Sequence, residues 1–352
     1  MSTLRYLTSL IVIFIISSDV ILAQDKKDEY KVVAVGFYNL ENLFDTIDNP
    51  VTNDADFLPG GRLHWNLAKY QSKQANMAKV LSELAIELSP DGVAVLGVAE
   101  VENKLVLEDL CQQPAIKARQ YQVIHFDSPD ERGIDCGLLY QPKYFTPVAS
   151  KAYKVPLKDE KTGEVDYTRD ILYVSGLMDG ETVHFMVGHW PSRRGGEARS
   201  APLRAVAAGI CKQVADSILA VDENAKIVIM GDLNDDPDSP SLTKVLKAKH
   251  DSKGLKTGEL YNPMYPHYKN GDGTMAYRDA WSLFDQMVIS QPLVHKKSGG
   301  WQFYKSIVFR RPWLIQPDGA YRGYPFRTFD GDLFINGYSD HLPVYMFWLK
   351  RK

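Results

Sequence analysis

The sequence predicts an α/β protein in which mixed β-sheets are covered by helices. Short apolar runs rich in β-branched and aromatic residues recur along the chain, and many lack polar alternation, which is typical of strands buried on both faces. Two longer stretches carry apolar residues at helical spacing. Some strands follow one another through tight turns such as Asp179-Gly180, and others are separated by helices, so both antiparallel and parallel pairs are expected.

The individual elements follow from these runs, taken in chain order. The predicted strands are Lys31–Tyr38, Gly92–Val98, Tyr121–His125, Cys136–Tyr140, Ile171–Met178, Val183–His189, Ile227–Gly231, Gln286–Ser290 and Pro343–Trp348. The first helix is predicted over Tyr70–Leu88, where apolar residues recur at every third or fourth position. The second is predicted over Ala201–Leu219, with Ser200 as the N-cap and Pro202 in the first turn.

One domain is predicted over residues 30–350. With 45% hydrophobic residues the chain can bury a full core, and it shows no internal repeat. The segment from about Lys256 to Tyr338 is rich in Tyr, Trp, Phe, Gly, Pro and Arg. We interpret it as long ordered loops beside the site, because no linker-like boundary separates it as a second domain.

The N-terminus has the features of a secretory signal peptide. Arg5 precedes the apolar run Leu10–Ile16, and Ala23-Gln24 offers a cleavage point, so residues 1–23 are predicted to be removed. The run is shorter than the ~20 residues that cross a bilayer, and no later stretch is apolar enough to do so. The mature protein is therefore expected to be exported, to the periplasm or the extracellular space, with no stable membrane span.

The three cysteines and the net charge limit two further interpretations. The three cysteines Cys111, Cys136 and Cys211 are an odd number and are not close together in the sequence. We expect them to be small buried thiols, with one disulfide as an alternative whose pairing the sequence does not assign. The formal net charge is −3, so no global basic field would attract a polyanion. A phosphodiester substrate would need local arginines and a bound metal to offset its charge.

Polar residues with catalytic or metal-binding groups stand at the ends of the predicted strands. They are Asn39, Glu41, Glu100, Glu102, Asp135, His189, Asp232, Asn234, Asp285, Asp340 and His341. Any one alone would more often be a turn former, as would the Gly-Asp-Leu-Asn turn at 231–234. Because strand ends along one edge of a sheet converge on one rim, the whole set favours a single site.

The chemistry of this set suits phosphoester hydrolysis. Carboxylate and amide oxygens are hard ligands that suit Mg²⁺, Mn²⁺ or Ca²⁺. The absence of a His-rich or Cys-rich cluster argues against zinc. Two histidines with carboxylate partners can contact a phosphate and exchange protons.

The order of these segments resembles that of a known superfamily. The segments are Phe37-Tyr38-Asn39-Leu40-Glu41-Asn42-Leu43-Phe44-Asp45, Ala99-Glu100-Val101-Glu102-Asn103, Arg132-Gly133-Ile134-Asp135, Gly188-His189-Trp190-Pro191-Ser192, Gly231-Asp232-Leu233-Asn234-Asp235 and Ser339-Asp340-His341-Leu342-Pro343-Val344. Together they resemble the endonuclease/exonuclease/phosphatase superfamily with the deoxyribonuclease I-like fold, and its exported bacterial members in particular. The resemblance implies a two-sheet β-sandwich flanked by helices, a four-layer α/β/β/α arrangement with the site in a cleft at one end.

For the metal, the resemblance implies Glu100 as the principal ligand with Asn39 beside it. Asp340 would contribute to the metal environment or to water activation. The implied cofactor is Mg²⁺, with Mn²⁺ or Ca²⁺ as alternatives. Glu102 is interpreted as a supporting or salt-bridging residue, and Glu41 has the same alternative.

For catalysis, the resemblance implies that Asp232 orients or deprotonates the attacking water. Asn234 would hydrogen-bond the phosphate. His189 and His341 would contact phosphate oxygens, with His341 held by Asp285.

Two further matches are looser. Asp135 stands roughly where the family places a carboxylate that supports His189, and Gly188 departs from the polar residue expected before that histidine. Arg132, Arg193 and Arg194 are candidate phosphate contacts, since guanidinium groups bind phosphate oxygens bidentately. Their alternative is a solvated loop charge.

Three functions remain open, and the most favoured is a nuclease cleaving DNA or RNA. Aromatic rings stack on bases and arginines follow the backbone. The candidates for these contacts are Tyr277, Arg278, Trp301, Arg310, Arg311, Trp313, Tyr321, Arg322 and Arg327, whereas Trp281 and Phe284 are interpreted as packing residues. The second is a phosphatase or phosphodiesterase for a small or lipid phosphate. The third is an inactive binding protein, against which the full set of catalytic residue types argues. A monomer is expected.

Overall fold

A computed structural model describes residues 29–158, 162–295 and 300–352. The predicted signal peptide lies outside these residues. The described strands are, in chain order, β1 (Tyr30–Leu43), β2 (Val95–Val101), β3 (Gln122–His125), β4 (Asp135–Tyr140), β5 (Thr146–Tyr153), β6 (Leu157–Lys158), β7 (Val165–Asp166), β8 (Ile171–Met178), β9 (Glu181–His189), β10 (Lys226–Asp232), β11 (Ala248–Lys249), β12 (Leu260–Tyr261), β13 (Met275–Tyr277), β14 (Ala280–Ser282), β15 (Asp285–Ser290), β16 (Gln302–Val308), β17 (Phe329–Asp330), β18 (Leu333–Phe334) and β19 (Val344–Arg351). The α-helices are α1 (Leu67–Glu83), α2 (Lys104–Cys111), α3 (Glu197–Val221) and α4 (Tyr265–Lys269).

Two large mixed sheets form the centre of the molecule. The first has the strand order β16-β19-β1-β2-β4-β3, and the second has the order β11-β12-β15-β10-β9-β8-β5. The parallel pairs are β1 with β2, β9 with β10 and β11 with β12, while the remaining pairs are antiparallel. Three two-stranded ribbons, β6-β7, β13-β14 and β17-β18, lie outside them.

The two sheets pack face to face, with helices on both outer faces. Along β1, Val33 and Phe37 belong to the apolar cluster between the sheets, whereas Ala34 and Tyr38 belong to the cluster shared with α1 and α2. This alternation is the two-residue period of a strand covered on both faces. The second sheet is covered by α3 through a third cluster that includes Cys211. The four-layer α/β/β/α arrangement is therefore confirmed.

Both predicted helices exist, with shifted ends. Helix α1 begins at Leu67, where the Asn66 side chain accepts a hydrogen bond from the Lys69 amide at 3.1 Å, and it ends at Glu83. Helix α3 begins three residues before Ser200, so the prediction of Ser200 as the N-cap is wrong. The Ser200 hydroxyl instead donates to the carbonyl of Gly196, one turn earlier, at 2.8 Å. This bond is compatible with a position of Ser200 inside the helix.

All nine predicted strands are present with ends shifted by up to five residues, but two long strands were not predicted. Strand β5 is an edge strand whose residues are mostly exposed, so it lacks an apolar pattern. Strand β16 is half-buried along its length and lies within the segment interpreted as loops. That segment also supplies β12 and β15 to the second sheet, so it is part of the sandwich and not only a set of loops.

Two expectations about the whole chain can be compared with the described residues. Among them, no helix has the length and apolar character needed to span a membrane. All three cysteines, Cys111, Cys136 and Cys211, are buried and free, so the alternative of one disulfide is not observed. Burial raises the pKa of the Cys111 and Cys211 thiols to about 12.

Candidate active site

The site begins with three neighbouring strands of the second sheet. Asp232 is the last residue of β10, and its direct cross-strand neighbours are His189 on β9 and Asp285 on β15. The register of two strand pairs therefore places two carboxylates and an imidazole side by side. All three side chains are buried.

Glycines allow β9 and β10 to approach closely just below these residues. A Cβ on Gly231 would lie 2.0 Å from the carbonyl oxygen of Gly188, and a Cβ on Gly188 would lie 3.1 Å from the indole nitrogen of Trp190. A side chain at Gly231 would separate the strands that carry His189 and Asp232. The unexpected glycine before His189 thus makes room for Trp190.

The first sheet contributes Asn39 and Glu100 to the same rim. The Asn39 amide donates to Asp232 Oδ2 at 3.1 Å and so joins the two sheets. Glu100 lies at a register shift in β2 and has φ +58°, which turns it out of the regular strand. Its Oε2 accepts a hydrogen bond from the Asn42 amide at 3.0 Å, and its Oε1 lies 3.8 Å from His189 Nε2.

His341 stands immediately before β19 and is held by Asp285. Its Nδ1 donates to Asp285 Oδ2 at 2.7 Å, which directs Nε2 toward Asp232, whose Oδ2 lies 3.6 Å away. Burial alone would lower the pKa of His341, but the charges of Asp285 and Asp232 outweigh it and hold that pKa well above the ordinary value. The ring therefore carries a positive charge at neutral pH.

His189 has the opposite electrostatic character. Burial and the positive charges of Arg169 and Arg132 lower the pKa of its imidazole well below the ordinary value. Its Nε2 lies 3.5 Å from Asp232 Oδ2, and its buried Nδ1 has no hydrogen-bond partner in the described part of the chain. The site thus holds one charged and one neutral imidazole on either side of one carboxylate.

Several oxygen donors of the kind that holds a divalent cation stand at this rim, and Asp232 belongs to a cluster with Asp285 and His341 whose ligand atoms lie within 4.8 Å of one another. Glu100 and Asp232 both approach His189, and Asp340 Oδ1 lies 4.0 Å from His341 Nε2. Burial and the nearby carboxylates, Glu100 among them, raise the pKa of Asp232 to about 7, although His341 opposes the shift. A hard cation at these oxygens would offset this crowding of negative charge, and such oxygens are the ligands that Mg²⁺ prefers. Asn39 Oδ1, which accepts from the Glu41 amide at 2.9 Å, keeps a second lone pair.

These groups open into a cleft of about 670 Å³. The predicted residues that line it are Glu100, Arg132, His189, Arg194, Asp232, Asn234, Asp340 and His341. Asn39 and Asp285 lie fully buried behind this wall, where they contact Asp232 and His341. The structure therefore brings together side chains from both sheets that are about 300 positions apart in the chain.

Asn234 and Asp340 are both fixed by their neighbours. Asn234 has φ +50°; its backbone N–H donates to Asp232 Oδ1 at 3.1 Å, and its side-chain amide donates to the Trp190 carbonyl at 3.0 Å. Asp340 accepts a hydrogen bond from Arg327 at 2.9 Å. Both therefore meet the cleft in a defined orientation.

Asp135 contacts a different histidine from the one predicted. Its Oδ2 lies 3.0 Å from His125 Nε2, and its other oxygen accepts from the Ser128 amide at 2.8 Å. The pairing of β3 with β4 brings His125 to this position, so no contact with His189 is formed. Asp135 is buried and lies outside the cleft lining.

Arg193 differs from the other two arginines. Its guanidinium donates to the Asn234 carbonyl at 3.0 Å, pairs with Asp235 and Asp236 at 3.3 Å, and lies 4.6 Å from the centre of the Phe284 ring. It braces the loop after β10 and does not line the cleft.

The aromatic candidates divide into two groups. Trp301 is buried and donates to the Met178 carbonyl at 3.0 Å, and Trp313 packs against Tyr338, so these two serve the core. Tyr277 is exposed, and Tyr321 is partly exposed. Trp301 is therefore closed to a ligand, whereas Tyr277, Tyr321 and the partly buried Trp313 keep exposed ring surface.

Sequence reasoning missed two buried cations near the site. Arg169 precedes β8 and binds Asp130 at 3.0 Å together with the carbonyls of His189 and Trp190. The sequence could have revealed Arg169, because it stands just before a predicted strand, at the same rim as the acidic residues. Lys73 lies within the apolar stripe of α1, and a charge within such a stripe was the signal there.

Lys73 belongs to a buried network with Glu41. Its ammonium lies 3.3 Å from Glu41 Oε2 and donates to Thr328 Oγ1 and to the Tyr338 carbonyl, each at 2.6 Å. Glu41 also accepts from the Thr328 amide at 2.8 Å. Burial raises the pKa of Glu41 to about 7, with Lys73 opposing the shift. The pair fixes the left-handed turn at Glu41 and Asn42, whose amides hold Asn39 and Glu100.

Comparisons with solved structures agree with this fold. Humanized D. rerio TDP2 carrying 14 mutations superposes with a TM-score of 0.53 at 12% identity, covering 90% of this chain and 98% of that one. An endonuclease/exonuclease/phosphatase family protein from Bacteroides thetaiotaomicron gives 0.52 at 14% identity, covering 92% and 97%. The mannosyl-6-phosphatase of B. thetaiotaomicron VPI-5482 gives 0.51 at 15% identity, covering 90% and 99%. These low identities support a shared fold alone.

A comparison with curated proteins found no significant match. The sequence model of the Endonuclease/Exonuclease/phosphatase family, in contrast, matches residues 34–350, which is nearly the whole described chain and includes every strand end of the site. The chain therefore belongs to the endonuclease/exonuclease/phosphatase family, and this membership supports a metal-dependent phosphoester hydrolase.

Proposed function

We propose that the protein is a nuclease that cleaves nucleic-acid phosphodiesters by in-line attack of an activated water. The observation that carries the proposal is the convergence of Glu100, Asp232 and Asp340 with two differently charged histidines in one cleft. An anionic phosphate bound there faces a charged imidazole and several guanidinium groups, which offset its charge locally.

The chain's own residues would divide the reaction as follows. Asp232 orients the water and accepts its proton as the new P–O bond forms and the bond to the leaving oxygen breaks. His341, held by Asp285, presents Nε2–H to a phosphate oxygen and stabilises the charge that grows on it. His189 and Asn234 hold the remaining phosphate oxygens in the attacking geometry.

A divalent cation would be held by Glu100, with Asn39 and Asp340 nearby. When bound, it supplies charge neutralisation and polarises the phosphoryl oxygens. Mg²⁺ is the proposed ion and Mn²⁺ or Ca²⁺ the alternatives, because the donors are all oxygens.

The test is a substrate panel on one purified preparation. Single-stranded DNA, double-stranded DNA and RNA are incubated with the protein and Mg²⁺, beside mannose 6-phosphate and a phosphoinositide. We expect cleavage of a nucleic acid, and His341→Ala protein purified in parallel shows whether a contaminating nuclease is responsible. Turnover of the small phosphates without any nucleic-acid cleavage would overturn the proposal.

The second candidate is a phosphatase for a small phosphate. It is favoured by the similarity in fold to a mannosyl-6-phosphatase, and the cleft is wide enough for a sugar phosphate. The same panel separates the two, because a monoesterase releases inorganic phosphate from mannose 6-phosphate and leaves internal diesters intact.

The location proposed for this activity is outside the cytoplasm, in the periplasm or beyond the cell. The support is the signal-peptide pattern of residues 1–23. Fractionation of cells that express the full chain, with N-terminal sequencing of the product, tests it. A protein found in the cytoplasm with Met1 in place would contradict it. We propose a monomer in solution, which light scattering tests.

A further inference from the structure

A second cavity adjoins the cleft on the far side of Asp340. It has a volume of about 350 Å³, at the lower end of the ~300–1,000 Å³ of ligand pockets, and Asp340 lines both spaces. Its other walls include Phe57, Tyr321, Arg327 and Phe329. A substrate centred on the catalytic residues can therefore extend past Asp340 into a second, separate space.

Three of the side chains that line this cavity are aromatic, and two of them pack against neighbouring rings. Phe57 stacks on Phe44 with ring centres 4.3 Å apart, and Phe329 lies 5.8 Å from the buried Trp65. Tyr321 is partly exposed, with the Arg327 guanidinium 5.1 Å and the Tyr324 ring 5.6 Å from its centre. A flat π-system entering the cavity thus meets the two packed phenylalanine rings and one partly exposed tyrosine ring.

The charges of the cavity argue against a second phosphate there. Arg327 is neutralised by Asp340 at 2.9 Å, and Arg62 pairs with Asp56 at 2.8 Å and also with Asp332. The main cleft, in contrast, is lined by Arg132, Arg194 and Arg199 in addition to the Arg169–Asp130 pair and its other acidic residues. The two spaces therefore differ: the cleft can hold phosphate groups, and the second cavity suits a neutral planar group with polar edges.

We propose that this cavity binds the nucleoside on one side of the scissile phosphate, with Tyr321 as the stacking residue. The substrate is then a diester that spans Asp340, with its phosphate in the cleft and a base beyond it. Arg327 contacts both Asp340 and Tyr321, and so fixes the distance between the stacking ring and the cleft. This inference rests on the proposed function and narrows it to diesters with a base at that position.

The experiment compares two substrates that each contain a single diester. A dinucleoside monophosphate has a base on both sides of the phosphate, and its doubly abasic analogue keeps the two sugars and the diester without a base. Replacing Tyr321 with alanine should lower kcat/KM for the dinucleoside by at least roughly 5-fold, the size of one lost base–aromatic stack, and leave the abasic diester within about 2-fold. Tyr321→Phe keeps the ring and should retain the wild-type value.

The matched control is Tyr304→Ala, which removes an exposed tyrosine of β16 outside both cavities. Equal kcat/KM for the dinucleoside in Tyr321→Ala and Tyr304→Ala would overturn the inference. Wild-type protein that hydrolyses neither diester and cleaves no nucleic acid of the substrate panel would instead contradict the proposed function. In that case, equilibrium binding of a labelled dinucleotide still tests the cavity, because Tyr321→Ala must weaken it at least roughly 5-fold. Unchanged binding overturns the inference.

Discussion

Replacement of Lys73 by methionine tests the buried network behind the site. Methionine keeps the approximate volume of the side chain but removes the ammonium that binds Glu41, Thr328 and the Tyr338 carbonyl. Removing one partner of a buried ion pair costs about 3–5 kcal/mol. Glu41 keeps its two hydrogen bonds from Thr328, and its pKa of about 7 lets it take up a proton. We therefore expect a loss of stability at the lower end of this range, about 3 kcal/mol.

The assay is thermal unfolding of metal-free protein at neutral pH. A loss of about 3 kcal/mol corresponds to a fall in Tm of roughly 4–5 °C for a domain of this size. Lys269→Met, which removes an exposed lysine of α4, is the matched control and should leave Tm unchanged. The double variant Lys73→Met with Glu41→Gln should recover part of the loss, because no unpaired buried charge remains. A Lys73→Met protein that melts within about 2 °C of the wild type would refute this reasoning.

Three further predictions concern the site itself. Exhaustive EDTA treatment should abolish hydrolysis and Mg²⁺ or Mn²⁺ should restore it; full activity after chelation would exclude a metal-dependent mechanism. His341→Ala should lower kcat per folded protein by roughly 10²-fold or more and Asp285→Asn by less, and both should also lower Tm because the buried His341–Asp285 pair is lost; a folded His341→Ala enzyme with normal kcat would remove this histidine from the mechanism. Arg194 lines the cleft, so Arg194→Ala should raise KM without changing Tm, whereas Arg193→Ala should lower Tm because Arg193 pairs with the loop after β10. A lower Tm in Arg194→Ala and a higher KM in Arg193→Ala would reverse the roles assigned to these arginines.

The part of the fold that was predictable is the part buried on both faces. Strands such as β8 and β10 are continuous apolar runs, and burial in the centre of a sandwich requires that composition. Strand β5 exposes one face at a sheet edge, and α2 is only eight residues long, so neither has a pattern that local sequence can reveal. Their existence depends on the tertiary contacts that they make.

A similar division applies to the site. Asp232, His189 and Asp285 could be grouped from sequence because each stands at a strand end, and strand register fixes such positions. The partner of Asp135 could not be read in this way, since it depends on which histidine a neighbouring strand presents. Lys73 was missed because its role depends on a carboxylate that reaches it from another element.

The pairing of β1 with β19 has a practical consequence for handling the protein. Tyr30 pairs with Arg351 at one end of the sheet, and the Lys352 amide donates to the Glu29 carbonyl at 2.9 Å. Asn39 and His341 lie at the other end, about 30 Å away at the rise of a β-strand. A tether attached at Lys352 would therefore hold the molecule at the end of the sheet opposite the cleft. Protein immobilised in this way on a bead or a sensor surface keeps its cleft facing the solution.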